Sequence, residues 1–127
     1  MGGNVGYAVP RLYSGRESFS PDVSFYLGPP PRDPMKFISG PPTFAAEIRS
    51  ECDYGTQAEL EMTAKRLDYF EAGTLVVWDV DTRGACVNCY RISAMHAKIV
   101  FNRGQIADAE PAVPGWRISV DEIFGKR

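Results

Sequence analysis

TFAAEIRSECDYGTQAELEMTAKRLDYFEAGTLVVWDVD, residues 43–81, holds the change of period that decides the fold. From Thr43 to Arg49, Phe44, Ala46 and Ile48 alternate with Ala45, Glu47 and Arg49, the period-2 pattern of a strand. Ser50 to Gly55 is a polar turn. Thr56-Gln57-Ala58-Glu59 has capping-box spacing, which places the Thr56 hydroxyl toward the Glu59 amide and the Glu59 carboxylate back toward residue 56. The helix it opens runs to about Ala72, with Leu60, Ala64, Leu67 and Phe70 near one face and Gly73 as the stop. Thr74 to Val80 is apolar on both faces, as a central sheet strand is. Strand, helix and strand in one short span predict an α/β or α+β core, with one strong helix packed on a mixed sheet.

Toward the N-terminus, Pro21 to Leu27 alternates, with Val23, Phe25 and Leu27 opposite Asp22, Ser24 and Tyr26, and reads as a strand. Between it and Thr43, six prolines (29, 30, 31, 34, 41 and 42) predict a long, semi-extended loop, because proline fixes φ and donates no backbone hydrogen bond. Residues 1–20 are polar and Gly-rich, with a strand around Tyr7 to Leu12. Toward the C-terminus, Asp81 to Gly84 is a hairpin turn, Ala85 to Arg91 pairs back, and a second short strand lies within Lys98 to Phe101. Pro114-Gly115-Trp116 breaks the chain, and Ser119 to Glu122 repeats capping-box spacing before a short terminal helix. The expectation is a single domain over residues 1–127, with four to six strands in a mixed sheet that joins the segments around Val23, Ala46 and Val77.

Composition removes several classes. With 44% apolar and 24% charged residues, the chain is not globally disordered. Fourteen Lys+Arg against sixteen Asp+Glu, a net charge of −2, argue against a broadly basic nucleic-acid coat and leave a local basic track open. No apolar stretch approaches the roughly 20 residues of a membrane span. Met1 to Pro10 lacks the basic and apolar regions of a secretory signal, and three cysteines is an odd number, so reduced thiols in a cytoplasm are expected. Cys86-Val-Asn-Cys89 has CxxC spacing but stands in a strand, where residues three apart point to opposite faces. There is no second pair, and His96 is the only histidine, so zinc lacks ligands; His96 also stands outside any recognisable triad, which argues against a Ser-His-Asp hydrolase. No G-x-G-x-x-G, Walker-type loop or G-x-S-x-G occurs. Arg11, Arg16, Arg32 and Lys36, interleaved with Tyr13, Phe19 and Phe37, have two readings. One is a nucleic-acid track; the other, favoured, is a solvated loop with aromatic anchors. Trp78 and Trp116 read as core.

Two carboxylates stand in apolar strands, Asp22 at the head of one and Glu47 within another. Such a carboxylate is costly unless a cation or strong donors compensate it. If the strands are neighbours, both acids face one cleft, and two carboxylates, a backbone carbonyl and waters form the oxygen set that Mg²⁺ accepts. A metal held there polarises a phosphodiester oxygen and activates water. Lys65, on the helix after the Glu47 strand, is the candidate to hold that water or to neutralise developing charge. The same residues also have a purely structural reading. Glu47 can end a strand at the sheet edge, Asp22 can cap a turn after Pro21, and Lys65 can be a solvated helix lysine. Spacing alone does not choose between the two.

The succession PDVSF (21–25), PPTFAAEIRS (41–50), AKRLDYFEAGTLVVWDVD (64–81) and PGWRISVDEIF (114–124) resembles the Uma-type restriction endonuclease family. The match rests on the order and spacing of four motifs, including K-x-x-x-Y-x-x-x-G in the helix. The resemblance implies the restriction endonuclease-like PD-(D/E)xK fold, a mixed β-sheet flanked by helices, and a Mg²⁺- or Mn²⁺-dependent endonuclease acting on nucleic acid, DNA first. It puts the family's acids on Asp22 and Glu47, the metal-facing carbonyl on Ile48 and the catalytic lysine on Lys65, with Gln57 as a further lining candidate. Where many relatives in the wider superfamily carry a lysine two residues after the glutamate, this chain has Arg49, which stays protonated and is no base. Family members carry a longer N-terminal part with a helix, and S-P-S after the glutamate strand is here Ser50-Glu51-Cys52. The shorter N-terminus leads to the expectation of an uncovered sheet face and a homodimer. A non-catalytic homodimeric module of the same fold, binding nucleic acid or protein, is the alternative function.

Overall fold

The computed structural model describes residues 2–3, 5–29, 33 and 37–125. The middle of the proline-rich segment, with Arg32 and Lys36 of the basic-aromatic track, lies outside the described residues. In chain order the elements are β1 (Gly2–Gly3), β2 (Tyr7–Ala8), β3 (Ser18–Phe19), β4 (Val23–Phe25), β5 (Ile38–Ser39), β6 (Phe44–Ile48) and α1 (Thr56–Ala72). Then come β7 (Val76–Asp81), β8 (Cys86–Arg91), β9 (Ala94–Phe101), β10 (Ile106–Asp108), β11 (Arg117–Ser119) and α2 (Val120–Phe124).

Six strands form the main sheet in the order β1-β4-β6-β7-β8-β9. All neighbours are antiparallel except β6 and β7, the parallel pair that α1 connects. A parallel pair needs a crossover of about a dozen residues, and the 17-residue α1 supplies it. The strands around Val23, Ala46 and Val77 are therefore adjacent. β2, β3 and β5 make a small second sheet, and β10 with β11 a third.

Register assigns the faces. Val23 opposes Ala46 and Ala46 opposes Trp78, while Glu47 opposes Asp79 and Asp79 opposes Asn88. One face therefore carries Phe44, Ala46, Val76, Trp78, Val80, Val87 and Cys89, buried against Ala107, Ala109, Val113 and Val120 of the C-terminal segment. Phe44, Trp78 and Trp116 stack within this layer. The other face carries Ala45 and Val77 against Tyr69 and Phe70 of α1 and against Tyr7, Val9, Leu12 and Phe19. The bare face expected of the inner strands is thus not found: the chain's own elements cover both sides of β6 and β7. Among the exposed apolar side chains, Ile92, Met95, Ile99 and Val100 lie on or beside the edge strand β9, while others such as Leu27, Leu60 and Ile106 are scattered elsewhere.

Local details depart from expectation in instructive ways. α1 ends as expected at Gly73, which takes the left-handed conformation (φ 115°, ψ 4°). Its start is different: Gly55 is the N-cap and no side chain caps it, because the Glu59 carboxylate is drawn to Arg49. The second capping box also fails to form, since Ser119 makes no side-chain cap bond and Asp121 pairs with Arg103. Leu60, expected on the inner face, is 62% exposed; Phe70 is buried against the sheet as expected, joined on that face by Met62, Lys65, Arg66 and Tyr69. β9 runs eight residues, twice the expected length. Cys86 and Cys89 are free thiols, Cys89 buried in the core layer opposite Trp78.

Candidate active site

The helix-covered face is apolar at one end and polar at the other. The polar end is a cleft of about 350 Å³ between α1 and strands β4, β6 and β7. Asp22, Glu47, Ile48 and Lys65 all line it. Asp22 stands one residue before β4, on the alternation that puts Ser24 on the same face as Ala45 and Glu47. Its Oδ2 accepts a 2.7 Å hydrogen bond from the Ile48 amide, which ties the end of β6 to the head of β4.

Glu47 receives two donors on one oxygen. Lys65 Nζ lies 2.8 Å from Oε1, and the Tyr69 hydroxyl donates to the same Oε1 at 2.7 Å. Lys65 and Tyr69 are four residues apart on α1, so one helical turn delivers both to the strand below. Tyr69 is fully buried, its ring stacked on Phe19 at 4.1 Å between centroids. Burial first, and then the Glu47 charge, push its hydroxyl far above the usual tyrosine range, so it stays a donor. Among the described residues neither Asp22 Oδ1 nor Glu47 Oε2 has a hydrogen-bond partner. Tyr69 was not singled out from the sequence as a site residue. The signal was present in the K-x-x-x-Y spacing of the helix motif.

Beside the cleft lies a second polar assembly. Arg49, two residues past Glu47 on the same face, is buried and bidentate to Asp79 of β7, with Nε to Oδ1 at 2.8 Å and Nη2 to Oδ2 at 2.7 Å. Its guanidinium also bonds the Glu59 carboxylate, through Nη1 to Oε1 and through Nη2 to Oε2 at 3.0 Å, and reaches the Asp53 carbonyl at 3.1 Å. Hydrogen bonds to Asp79 and then Glu59 raise the Arg49 pKa further, so it is a permanent cation with two anionic partners. Hydrogen bonding to Arg49 holds the Glu59 carboxyl below the ordinary glutamate range. Arg49 is a brace between β6, β7 and α1, which accounts for an arginine where a base would otherwise stand.

The turn after β6 closes on itself, with the Ser50 amide and hydroxyl both donating to Asp53 Oδ2 at 2.7 and 3.0 Å. Gln57 bonds Glu61 at 3.2 Å and does not line the cleft. Arg16 of the basic-aromatic track pairs with Asp68 at 3.0 Å and lies over Phe19, which is the anchoring version of that segment.

Among the described residues Asp22 and Glu47 each keep one oxygen without a hydrogen-bond partner, and carboxylate oxygens are the ligands a hard divalent cation takes. Among the described residues no group of three or more His, Cys, Asp or Glu stands close enough to hold a metal, so any further ligands must be backbone, water or substrate.

The architecture is mixed α+β, with a parallel strand pair, a crossover helix and strand-borne acids beneath that helix. The chain belongs to the family described as Uma2, putative restriction endonuclease, which it matches over residues 2–121. It is similar to the crystal structure of a putative nuclease belonging to DUF820 from Anabaena variabilis ATCC 29413, with a TM-score of 0.69 and 21% identity. That similarity covers 96% of this chain and 65% of the Anabaena chain, so the present chain spans under two thirds of that protein's length. No curated protein matches it.

Proposed function

We propose that the chain is a divalent-metal-dependent endonuclease that hydrolyses phosphodiester bonds of DNA, working as a homodimer. The observation that carries the reading is the meeting of Asp22, Glu47 and Lys65 in one cleft, with Lys65 Nζ 2.8 Å from Glu47. Asp22, Glu47 and the Ile48 carbonyl would hold Mg²⁺ or Mn²⁺. When bound, that ion supplies charge stabilisation at the phosphoryl oxygen and makes a neighbouring water easier to ionise.

The chain's own groups do the rest. Asp22, by accepting the Ile48 amide, fixes the head of β4 relative to the Ile48 backbone. Tyr69 holds Glu47 in place through a hydrogen bond that survives any exchange of partners at Lys65. Lys65, 2.8 Å from Glu47 in the same cleft, would position the attacking water or neutralise charge on the phosphate. Support for the dimer is the eight-residue edge strand β9, with Met95, Ile99 and Val100 exposed.

Plasmid nicking with Mg²⁺ or Mn²⁺, run beside Mn²⁺ titration calorimetry, tests the assignment. Asp22→Asn and Glu47→Gln are expected to lose cleavage and metal binding together. Lys65→Ala is expected to keep the metal and to slow cleavage by about 10²–10⁴-fold. If all three bind Mn²⁺ like the parent, the assigned site is wrong. A parent that neither binds metal nor nicks DNA leaves the non-catalytic homodimeric module of the same fold as the reading.

A further inference from the structure

Arg16, Arg49, Arg91, Arg103 and Arg117 each pair with a carboxylate. Arg66 also lines the cleft, and among the described residues it makes no ion pair. Its Nε is buried without a hydrogen-bond partner, and its Nη2 makes only a 3.4 Å contact to Thr63. The guanidinium is nonetheless held in place, 3.7 Å from the centroid of the Tyr90 ring. A half-buried cation with unspent donors is costly in the free protein, and an anion with several acceptor oxygens relieves that cost. The local acids are already engaged: Asp79 and Glu59 by Arg49, Glu47 by Lys65.

Tyr90 belongs to β8, two strands from β6 in the sheet order. Strand spacing therefore puts Tyr90, and the Arg66 guanidinium over its ring, about 10 Å across the sheet from β6, the strand that carries Glu47. Phosphates follow one another along a DNA strand at about 3.4 Å of helix axis, so a strand whose scissile phosphate sits at Glu47 has another within that span.

We infer that Arg66, stacked on Tyr90, is the cleft's clamp for a backbone phosphate of DNA, a few nucleotides from the bond to be cut. This inference rests on the endonuclease reading for its ligand. Its role is binding and orientation: it leaves the metal site and the proton-handling lysine untouched.

The test is fluorescence anisotropy of the full chain with a fluorescein-labelled DNA duplex, titrated over a range of salt with Ca²⁺ in place of Mg²⁺. Arg66→Gln is expected to weaken binding by about tenfold and to lower the slope of log affinity against log salt by about one, the signature of one lost phosphate contact. Arg66→Lys, which keeps the charge, is expected to retain the parent slope. Arg66→Met keeps an unbranched stem over Tyr90, and a melt matching the parent separates lost binding from lost fold. Mn²⁺ calorimetry on the variants is expected to match the parent. A parent that binds the duplex with this Arg66 dependence but never nicks DNA keeps the clamp and sinks the endonuclease. A parent that nicks, with an Arg66→Gln variant of unchanged affinity and slope, overturns the clamp and keeps the enzyme. A parent that does not bind the duplex overturns the clamp as well.

Discussion

Glu47 and Tyr69 show how one hydroxyl can prepare a carboxylate for work. Oε1 takes both Lys65 and Tyr69 while Oε2 has no partner among the described residues, so the group is anchored on one side only. The phenylalanine variant at position 69 keeps the stack on Phe19 and removes the donor. Tyr69→Phe is expected to cost about 1.5–3 kcal/mol in urea unfolding, the worth of a hydrogen bond to a charged group. It is also expected to weaken Mn²⁺ in calorimetry, because Glu47 is then held by Lys65 alone. Equal stability and equal Mn²⁺ affinity would make the hydroxyl irrelevant to the site. Residue-level legibility follows the same line. Asp22, Glu47 and Lys65 were readable because a charge in an apolar strand, or in a recognised motif, is visible along the chain. Asp79 and Arg66 were not, because what they touch depends on a register, Glu47 against Asp79 and Val77 against Tyr90, that no local period encodes; Tyr69 carried its signal in the helix spacing and was passed over.

At the level of elements, Arg49 stitches β6 to β7 and to the start of α1, and it bears on one failed expectation. Its pair with Glu59 occupies the carboxylate that the capping box would have turned back toward the helix start. Asp79 is only 5% exposed, so losing its partner leaves a buried charge. Arg49→Met is expected to cost about 3–5 kcal/mol in denaturant titration, while adding Asp79→Leu to it should recover much of that loss. A single variant as stable as the parent would show that the brace carries no weight. Glu59 adds a pH dependence. Arg49 faces it from β6, Asp81 and Arg66 lie within Coulombic reach, and its folded pKa is depressed from 4.5. Its contribution is therefore complete above about pH 4.5 and is lost as pH falls through the folded value. Unfolding curves at neutral and acid pH should show a shallower acid loss for Glu59→Gln than for the parent. The elements themselves were mostly legible: β4, β6, α1 and β7 follow from period and from the Gly73 stop. Of the two-residue strands, β2 lies at the start of the stretch expected as a strand from Tyr7, while β1, β3 and β5 fall below any periodic signal. The inward face of α1 was misread because it meets carboxylates and carries Lys65 and Tyr69 where apolar residues were sought.

Considered as a whole, the molecule buries both faces of its inner strands and leaves one long edge. β9 lies last in the sheet order, is exposed from Ala94 to Val100, and among charged side chains carries only Lys98, with His96 as its one other titratable group. Its outer backbone donors and acceptors are a template for another strand, and proteins guard such edges with charge, proline or bulges. The register irregularity between Cys89 and Arg91 bends the pairing at the start of the β8–β9 hairpin and leaves the stretch through Ile99 and Val100 regular. Ile99 opposes Cys89 and Val100 opposes Asn88, so the exposed apolar groups project from both faces of the same strand. A two-fold axis through β9 would pair it antiparallel with its copy and make one continuous sheet, the self-complementary interface that the proposed homodimer needs. Sedimentation equilibrium at micromolar concentration is accordingly expected to give a dimer. Ile99→Lys and Val100→Lys, which place a charge on each face of the strand in turn, are expected to shift it to monomer. A monomeric parent with a cooperative melt would remove the dimer, and a dimer indifferent to both lysines would move its interface away from β9.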